Sequence, residues 1–385
     1  MQYRKFGKNQ NDVSILGFGC MRFPVIDGDS KRIDEKPSSA MLRYAYEHGV
    51  NYFDTAYPYH GGESERFVGK FLAEEGIREK VYLATKLPSW EIKSPEDFDR
   101  LFDEQLEKLQ TDYIDYYLIH ALNPDFWKAV TENGVFEWAD KQIAAGRIKE
   151  LGFSFHAEFS LFKEIIDAYD WSFAQIQYNY MDIDRQAGWD GVMYAASKGV
   201  SLVIMEPLMG GKLANPPQEV VATFENAETN RSAVGWALQW IWDHKEVGVV
   251  LSGMSEMAQV EENVVLASAS TVGMFNEADQ TVIVEARDGY QKRSAIPCTN
   301  CKYCLPCTVD LKIPDLFGMF NSARMYDSLE ETSRWYKNRK PEEMASACID
   351  CDECEPKCPQ GIIISDWMPK VAAVMEEGKT FEEVL

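Results

Sequence analysis

The sequence has no long hydrophobic run, few histidines and fewer basic than acidic residues. None of its segments approaches the roughly 20 apolar residues that cross a bilayer, so we expect no membrane span. Lysine and arginine number 39 against 62 aspartates and glutamates, a formal net charge of −23. Because nucleic acids and anionic lipids bind basic surfaces, this balance argues against both as partners. The first residues hold no apolar stretch before a cleavage site, so we expect a cytoplasmic protein with reduced thiols.

Cysteine is used very unevenly along the chain. Eight of the nine cysteines form two short runs near the C-terminus. The second run has the C-x2-C-x2-C-x3-C-P spacing of bacterial 4Fe–4S ferredoxins, and the first nearly repeats it, with two residues before its last cysteine. We therefore predict two 4Fe–4S clusters. The predicted ligands are Cys298, Cys301, Cys304 and Cys307 of the first run, and Cys348, Cys351, Cys354 and Cys358 of the second.

The pairing of these cysteines follows by analogy with two-cluster ferredoxins, in which the fourth cysteine of each run binds the other cluster. Cys358 would then complete the first cluster, and Cys307 the second. Zinc is the alternative ligand, because C-x2-C pairs also bind it. The regular offsets and Pro359 favour iron–sulfur, and all five histidines precede the cysteine region. Cys20 stands alone and is expected to be an ordinary buried thiol.

Short β-rich segments alternate with longer amphipathic ones between about residues 15 and 270. Eight such units predict an α/β fold, a TIM (β/α)8 barrel over residues 1–285, followed by a small, mainly helical iron–sulfur domain over 286–385. A doubly wound sheet is the alternative, but it normally has fewer strands and a Gly-x-Gly-x-x-Gly turn. The segment Tyr3–Val13 is expected to form a hairpin at the bottom of the barrel. The predicted strands are Ile15–Cys20, Tyr52–Asp54, Val81–Lys86, Tyr113–His120, Ile148–Ser154, Phe173–Tyr178, Ser201–Pro207 and Gly248–Gly253.

Reactive side chains stand at the ends of three successive predicted strands. Asp54 ends the second strand, Lys86 the third and His120 the fourth, and Tyr59 lies five residues past Asp54. Because the chemistry of a TIM barrel sits at the C-terminal ends of its strands, these four side chains should meet at one mouth. Each alone has an ordinary structural explanation, such as a helix cap or a core histidine. Their occurrence together predicts a catalytic site.

These motifs resemble those of the aldo-keto reductases. The stretch from Gly49 to Tyr59 is similar to that family's Asp-[Thr/Ser]-Ala-x-x-Tyr signature, and Leu83–Lys86 and Tyr117–His120 are similar to its lysine and histidine motifs. The resemblance spans about residues 1–270, and the cysteine region resembles a ferredoxin-like domain appended in one branch of reductases. It implies NAD(P)H-dependent reduction of an aldehyde or ketone. Tyr59 would donate the proton, and Lys86, fixed by Asp54, would stabilise the resulting phenolate. His120 would orient the substrate oxygen.

The resemblance also implies where the cofactor binds. Ser154 and Gln175 would hold the nicotinamide carboxamide, and the glycine-rich loop around Gly210 would lie along the pyrophosphate. The loop after the last strand contains no lysine or arginine, so NADPH and NADH both stay open, with NADPH favoured by the family. The implied cofactor contacts are Met21, Ser154, Gln175, Pro207, Leu208, Gly210, Lys212, Gly253, Ser255, Gln259, Glu262 and Asn263.

The expected partners are a small carbonyl substrate and, for the clusters, an external electron donor or acceptor protein. Four aromatic residues are candidates for an apolar substrate pocket, with core packing as the alternative role: Phe23, Tyr57, Trp90 and Phe126. A hydride carries two electrons, whereas a 4Fe–4S cluster carries one. A flavin could convert between the two, but the sequence shows no convincing flavin motif. A non-catalytic redox-sensing or electron-carrier protein on a reductase scaffold is therefore the alternative function.

Overall fold

Eight parallel strands close into a barrel in the computed structural model, which describes all 385 residues. Each strand pairs with the next along the chain, and the eighth closes the ring by pairing with both the seventh and the first. This confirms the predicted TIM barrel. The barrel strands are β3 (Leu16–Gly19), β4 (Tyr52–Asp54), β5 (Tyr82–Leu87), β6 (Ile114–Leu122), β7 (Ile148–Phe155), β8 (Phe173–Gln177), β9 (Ser201–Met205) and β10 (Val247–Ser252).

An antiparallel hairpin precedes the barrel. Its strands are β1 (Tyr3–Phe6) and β2 (Asn11–Ser14). The hairpin places Phe6 in the barrel core, where its ring centroid lies 5.2 Å from that of Tyr116 and 5.7 Å from that of Phe173. Gly248 makes room for this ring, because a Cβ there would lie 2.4 Å from Phe6 Cδ2. The hairpin thus fills the end of the barrel at which the strands begin.

The helices that follow the strands are amphipathic. In α3 (Glu96–Leu109), the buried residues Phe98, Leu101, Phe102 and Leu109 share one face, and acidic residues fill the first turn. The helix ends at Gln110, which adopts a left-handed conformation. The helices of this part of the chain are α1 (Glu35–Glu47), α2 (Glu63–Glu74), α3 (Glu96–Leu109), α4 (Pro124–Glu132), α5 (Val135–Ala144), α6 (Phe159–Ala168), α7 (Gly188–Ser197), α9 (Ala233–Trp242) and α10 (Met257–Ala269).

The chain forms two compact units. The barrel unit comprises residues 1–210 and 235–276, and the C-terminal unit comprises 211–234 and 277–385. The segment 211–234, between β9 and α9, therefore folds with the C-terminal unit. No helix is long and apolar enough to span a membrane. The helices of the C-terminal unit are α8 (Gln218–Glu225), α11 (Glu277–Lys292), α12 (Ile313–Met325), α13 (Leu329–Tyr336), α14 (Ile364–Met375) and α15 (Phe381–Val384).

The C-terminal unit has its own hydrophobic core. Phe317 and Phe320 of α12 and Met368 of α14 are buried in it, and the cysteines pack against its edge. Polar contacts attach the segment 211–234 within the same unit. Arg231 forms a buried ion pair with Asp279 of α11 at 3.0 Å, and Lys212 Nζ donates to Ser322 Oγ of α12 at 3.0 Å.

Candidate active site

Lys86 is held by several hydrogen bonds at the C-terminal end of the barrel strands. Its Nζ donates to Oδ1 and Oδ2 of Asp54, at 2.7 and 2.8 Å, and to the carbonyl oxygen of Thr55 at 2.7 Å. Lysine and aspartate are both fully or almost fully buried. Burial by itself would lower the pKa of Lys86, but Asp54 and then Tyr59 raise it above its ordinary value. The lysine is therefore an ammonium at neutral pH.

Tyr59 lies beside this ammonium. It stands at the start of a short 3-10 turn after β4, and Lys86 Nζ is 5.0 Å from the centroid of its ring. Burial raises the pKa of Tyr59, while the charge of Lys86 acts in the opposite direction. The phenol is thus protonated at neutral pH and has a cation beside it to stabilise the phenolate. These are the properties of a proton donor.

His120 faces the same mouth. Its ring centroid lies 6.4 Å from that of Tyr59, and its buried Nδ1 has no hydrogen-bond partner in the protein. Burial, then the charges of Lys86 and His156, lower the pKa of His120 well below its usual range. The imidazole is therefore neutral at pH 7. A neutral ring has one N–H, which can donate a hydrogen bond to a substrate oxygen.

One of the four aromatic pocket candidates, Trp90, lies beside His120, and a second, Phe126, lies next to Trp90. Trp90 is 5.2 Å from the imidazole and 6.3 Å from Phe126, between ring centroids. Phe23 is buried and stacks on Phe18, as a core residue does. Tyr57 bonds Glu104 of α3 through its hydroxyl and lies under Lys108. Trp90 and Phe126 thus remain candidates for a substrate pocket, whereas Phe23 and Tyr57 have other contacts.

The residues implied for nicotinamide binding have hydrogen-bonding capacity to spare. Gln175 is buried, its Nε2 donates only to the sulfur of Met205 at 3.5 Å, and its Oε1 has no partner. Ser154 is buried on the adjacent strand, where its Oγ accepts from the backbone N–H of Ala121. An unpartnered buried amide oxygen is costly unless a ligand donates to it. The carboxamide of a nicotinamide fits this requirement.

The loop after β9 suits a phosphate. Gly210 and Gly211 have φ angles of 71° and 105°, conformations in which a side chain would be strained. The loop Met205–Gly210 also carries Pro207 and Leu208, whereas Lys212 belongs to the C-terminal unit and bonds Ser322. Exposed backbone without side chains lets phosphate oxygens approach N–H groups closely.

The loop after β10 offers polar groups for the adenosine end. Ser255 donates its backbone N–H to Gln259 Oε1 at 2.9 Å. Asn263 is buried and donates to Ser252 Oγ, while its Oδ1 has no partner. Glu262 is half-buried on the same helix, and Met21 is exposed after β3. Asn263 is thus a second buried amide with an oxygen that a ligand could satisfy.

A buried network behind Lys86 is not evident from the strand-end motifs. Glu65 Oε1 accepts hydrogen bonds from Thr85 Oγ1 and Gln105 Nε2, both at 2.6 Å. Gln105 Nε2 also donates to the backbone carbonyl of Lys86 at 2.9 Å. Burial raises the pKa of Glu65. The sequence does hold a signal for this network, because Glu65 is a carboxylate on the apolar face of α2.

The cysteines of the C-terminal unit surround two cavities of similar size. Each cavity receives three cysteines from one run and the fourth from the other, with apolar residues such as Ile364 between them. Cys298, Cys301, Cys304 and Cys358 line one cavity. Cys307, Cys348, Cys351 and Cys354 line the other.

The thiols of each group surround a cavity and do not converge on one metal position. No group of three or more His, Cys, Asp or Glu side chains is close enough together to hold a single metal ion. Burial, and after it the neighbouring thiols, raise the pKa of Cys354 to about 11, so a bound cation is needed for it to ionise at pH 7. Four cysteines around a cavity fit a cluster of several irons better than one zinc ion, whose sulfur ligands lie about 2.3 Å from the metal.

Comparison with known proteins agrees with this geometry. Residues 15–278 match the model of the aldo/keto reductase family. The chain belongs to the aldo/keto reductase family. Residues 297–363 match the model of a 4Fe-4S dicluster domain. The protein is thus an NAD(P)H-dependent oxidoreductase of this family with an iron–sulfur domain.

Two relatives of the reductase match nearly their whole length. L-galactose dehydrogenase of Arabidopsis thaliana is 28% identical over 298 residues, which cover 72% of this chain and 92% of that protein. The structure of aldo-keto reductase AKR11C1 from Bacillus halodurans, in its holo form, has a TM-score of 0.62 and 27% identity, covering 74% of this chain and 96% of that one.

A third similarity shows the fold alone. An aldo-keto reductase of Klebsiella pneumoniae in complex with NADPH is 20% identical, with a TM-score of 0.60 over 73% of this chain and 93% of its own. These three matches cover 72 to 74% of the chain.

Proposed function

We propose that the reductase transfers a hydride from NAD(P)H to the carbonyl carbon of a small aldehyde or ketone, and that Tyr59 supplies the proton to the oxygen. The observation that carries this proposal is the buried Lys86 ammonium, which contacts both Asp54 oxygens and lies 5.0 Å from the Tyr59 ring centroid. An acid–base function explains why a charged pair is buried at the mouth of a barrel, where burial is costly.

The proton transfer follows from the three side chains. A phenol has an ordinary pKa of about 10, so its conjugate base needs stabilisation if it is to release a proton quickly. As the proton leaves Tyr59 Oη for the substrate oxygen, Lys86 faces the developing phenolate. Asp54 holds Lys86 in place, and neutral His120 donates a hydrogen bond to the same substrate oxygen.

The cofactor supplies the hydride when it is bound. Ser154 and Gln175 fit its carboxamide, Gly210 fits its pyrophosphate, and Ser255, Gln259 and Asn263 fit its adenosine end. The absence of a lysine or arginine from the loop Gly253–Gln259 leaves NADH as an alternative to NADPH. The substrate would lie beside Trp90 and Phe126, which favours an apolar or aromatic carbonyl compound.

We further propose that the C-terminal unit holds two 4Fe–4S clusters. The cavity lined by Cys298, Cys301, Cys304 and Cys358 would hold one, and that lined by Cys307, Cys348, Cys351 and Cys354 the other. Such clusters exchange single electrons, which implies an external donor or acceptor protein and a reducing compartment. Because each cluster would be bound by cysteines of both runs, the clusters would link the two runs to each other.

The reductase function is tested with protein purified anaerobically. Oxidation of NADPH and of NADH is followed at 340 nm with an aromatic aldehyde, with wild type and Tyr59→Phe measured side by side. Turnover by the wild type that depends on Tyr59 supports the proposal. Cofactor binding without turnover of any aldehyde or ketone would instead favour a redox-sensing or carrier protein.

The cluster proposal is tested by composition. We expect about eight irons and eight acid-labile sulfides per chain, with brown colour that bleaches on reduction. Cys20→Ser is the matched control, because Cys20 is buried in the barrel and should leave the iron content unchanged. Stoichiometric zinc without labile sulfide would overturn the proposal.

A further inference from the structure

The strand that carries His120 is irregular at that residue. The pairing of β6 with β7 shifts by one residue between Ile119 and Leu122. Two residues of β6, His120 and Ala121, therefore lie opposite one residue of β7, which is Ser154. Such a β-bulge re-aims a side chain and is common beside active sites. The direction of the His120 side chain is thus set by an irregular piece of backbone.

This bulge is held in an unfavourable backbone conformation. Ala121 has a φ angle of 52°, in the left-handed region that residues with a side chain rarely adopt. A conformation of this kind persists only where the surrounding contacts fix it. Without such contacts, rotation of the peptide unit between His120 and Ala121 would relieve the strain and turn His120 to another direction.

Two buried serines fix this peptide unit, one at each end. Ser89 Oγ donates a hydrogen bond to the carbonyl oxygen of His120 at 2.7 Å. The N–H of Ala121 donates to Ser154 Oγ, also at 2.7 Å. Each of the two serines is only 1% exposed. Because a bulge disrupts the ladder of backbone hydrogen bonds, these hydroxyls supply partners that the strands do not.

The imidazole of His120 has few contacts of its own. Its Nδ1 has no hydrogen-bond partner in the protein. The ring packs against Trp90, at 5.2 Å between centroids. Trp90 belongs to the 3-10 turn Ser89–Glu91, the turn that also carries Ser89. One short turn therefore contacts both the backbone and the ring of His120.

We propose that Ser89 is a positioning residue for His120, which it fixes through the peptide unit between His120 and Ala121; this rests on the proposed role of His120 at the substrate oxygen. A hydrogen bond to that oxygen depends steeply on the distance and direction of its donor. Loss of the Ser89 hydroxyl would leave the peptide unit held at one end only. The imidazole would then spend part of its time turned away from the substrate.

The first test separates turnover from cofactor binding in the intact protein. Loss of one donor to a developing oxyanion costs about 100- to 1000-fold in kcat. Ser89→Ala misdirects the donor without removing it, so kcat for an aromatic aldehyde should fall by about 5- to 20-fold. The dissociation constant of NADPH should stay within about twofold, because Ser89 has no assigned contact with the cofactor. Ser154 is unsuitable for this test, since it is assigned to the nicotinamide.

Two further variants show whether the hydroxyl is what matters. Ser89→Thr keeps the hydroxyl and should recover most of the lost kcat. Ser14→Ala is the matched control, because Ser14 is buried at the other end of the barrel and donates to the carbonyl oxygen of Leu16, also at 2.7 Å. It should leave kcat unchanged. Equal losses in Ser89→Ala and Ser89→Thr, with both folded by circular dichroism, would assign the effect to side-chain volume and overturn the proposal.

A double-mutant cycle tests whether Ser89 acts through His120. In a His120→Gln background, Ser89→Ala should lower kcat by less than about twofold, because the residue that it positions is already gone. The full loss in both backgrounds would mean that Ser89 acts on another group, such as Trp90, and would overturn the proposal.

The position of the ring itself is measured by nuclear magnetic resonance of isotope-labelled histidine. The chain has only five histidines, so the ring signal of His120 is assigned by its absence in His120→Gln. Ser89→Ala should shift or broaden this signal, and Ser14→Ala should not. An unchanged signal in Ser89→Ala would overturn the proposal whatever the kinetics show. Because this measurement needs no turnover, a wild type that reduces no aldehyde would overturn the proposed function and still leave the positioning tested.

Discussion

The barrel mouth and the cysteine cavities differ in what holds their functional side chains. At the mouth, Lys86 is fixed by three hydrogen bonds to protein oxygens, and Gln105 fixes its backbone from behind. In the cavities the only hydrogen bond found between a cysteine side chain and another side chain is the contact of Cys351 Sγ with Thr308 Oγ1 at 3.4 Å. The side chains at the mouth are thus fixed by the protein itself, whereas the cysteine side chains have few side-chain partners.

The largest expected effect follows from this difference. Removal of the clusters with a chelator and an oxidant should strongly lower the protection of backbone amides around the two cysteine runs, residues 297–311 and 345–363, because iron–cysteine bonds would be the main links between them. Hydrogen exchange measured by mass spectrometry follows both units at once. Helix α3 of the barrel is the internal control and should keep its protection. Equal loss of protection in both units would contradict the view that only the C-terminal unit depends on the clusters.

The next effect concerns the buried ion pair of the mouth. Lys86→Met should lower the free energy of unfolding of the barrel by about 3–5 kcal/mol, because Asp54 would be left buried without a partner. The double variant Asp54→Asn, Lys86→Met should recover much of this loss, since no uncompensated charge remains. Urea unfolding monitored by circular dichroism measures both. A loss below about 1 kcal/mol in the single variant would show that the pair is not organised as described.

The third prediction concerns the phenol of Tyr59. Tyr59→Phe should lower kcat for aldehyde reduction by about 100-fold or more and leave the dissociation constant of the dinucleotide nearly unchanged, because only the proton donor is lost. Tyr57→Phe is the matched control, since its hydroxyl bonds Glu104 rather than the mouth. Unchanged turnover in Tyr59→Phe would move the role of acid to another group, with His120 the first candidate.

Neutral His120 gives a smaller, pH-dependent effect. Because burial lowers the pKa of His120 well below its usual range, the unfolded chain takes up a proton near pH 6.5 that the folded chain refuses. The free energy of unfolding should therefore fall as pH drops, by about 1 kcal/mol between pH 6.5 and 5.5 from this residue. His120→Gln should flatten the slope, because it removes the group that titrates. An unchanged slope in this variant would contradict a neutral buried ring.

The sequence predicts the barrel well because each strand is a short apolar run between amphipathic segments. The ends of the strands shift by one or two residues, as between Val81–Lys86 and the observed Tyr82–Leu87, because pairing with the neighbouring strand sets them. The meeting of Asp54 and Lys86 was predictable for the same reason. Strand ends in a closed parallel barrel share one mouth, whatever the loops do.

Contacts between distant segments could not be read from the sequence. The bond between Lys212 and Ser322 joins residues 110 apart, and no local pattern marks 211–234 as part of the C-terminal unit. Periodicity and motif spacing describe single helices, strands and loops, whereas contacts between distant segments arise only when these elements pack together.

The independence of the two units is tested most directly by Cys351→Ser, assayed for iron content, cofactor affinity and aldehyde reduction on the same preparation. Cys351 lines only one cysteine cavity, and every residue assigned to proton transfer lies in the barrel. We expect the variant to lose about half of its iron while kcat with NAD(P)H stays within about twofold of the wild type. A folded variant that binds the dinucleotide but no longer reduces the aldehyde would place the clusters on the catalytic path and contradict hydride transfer by the barrel alone.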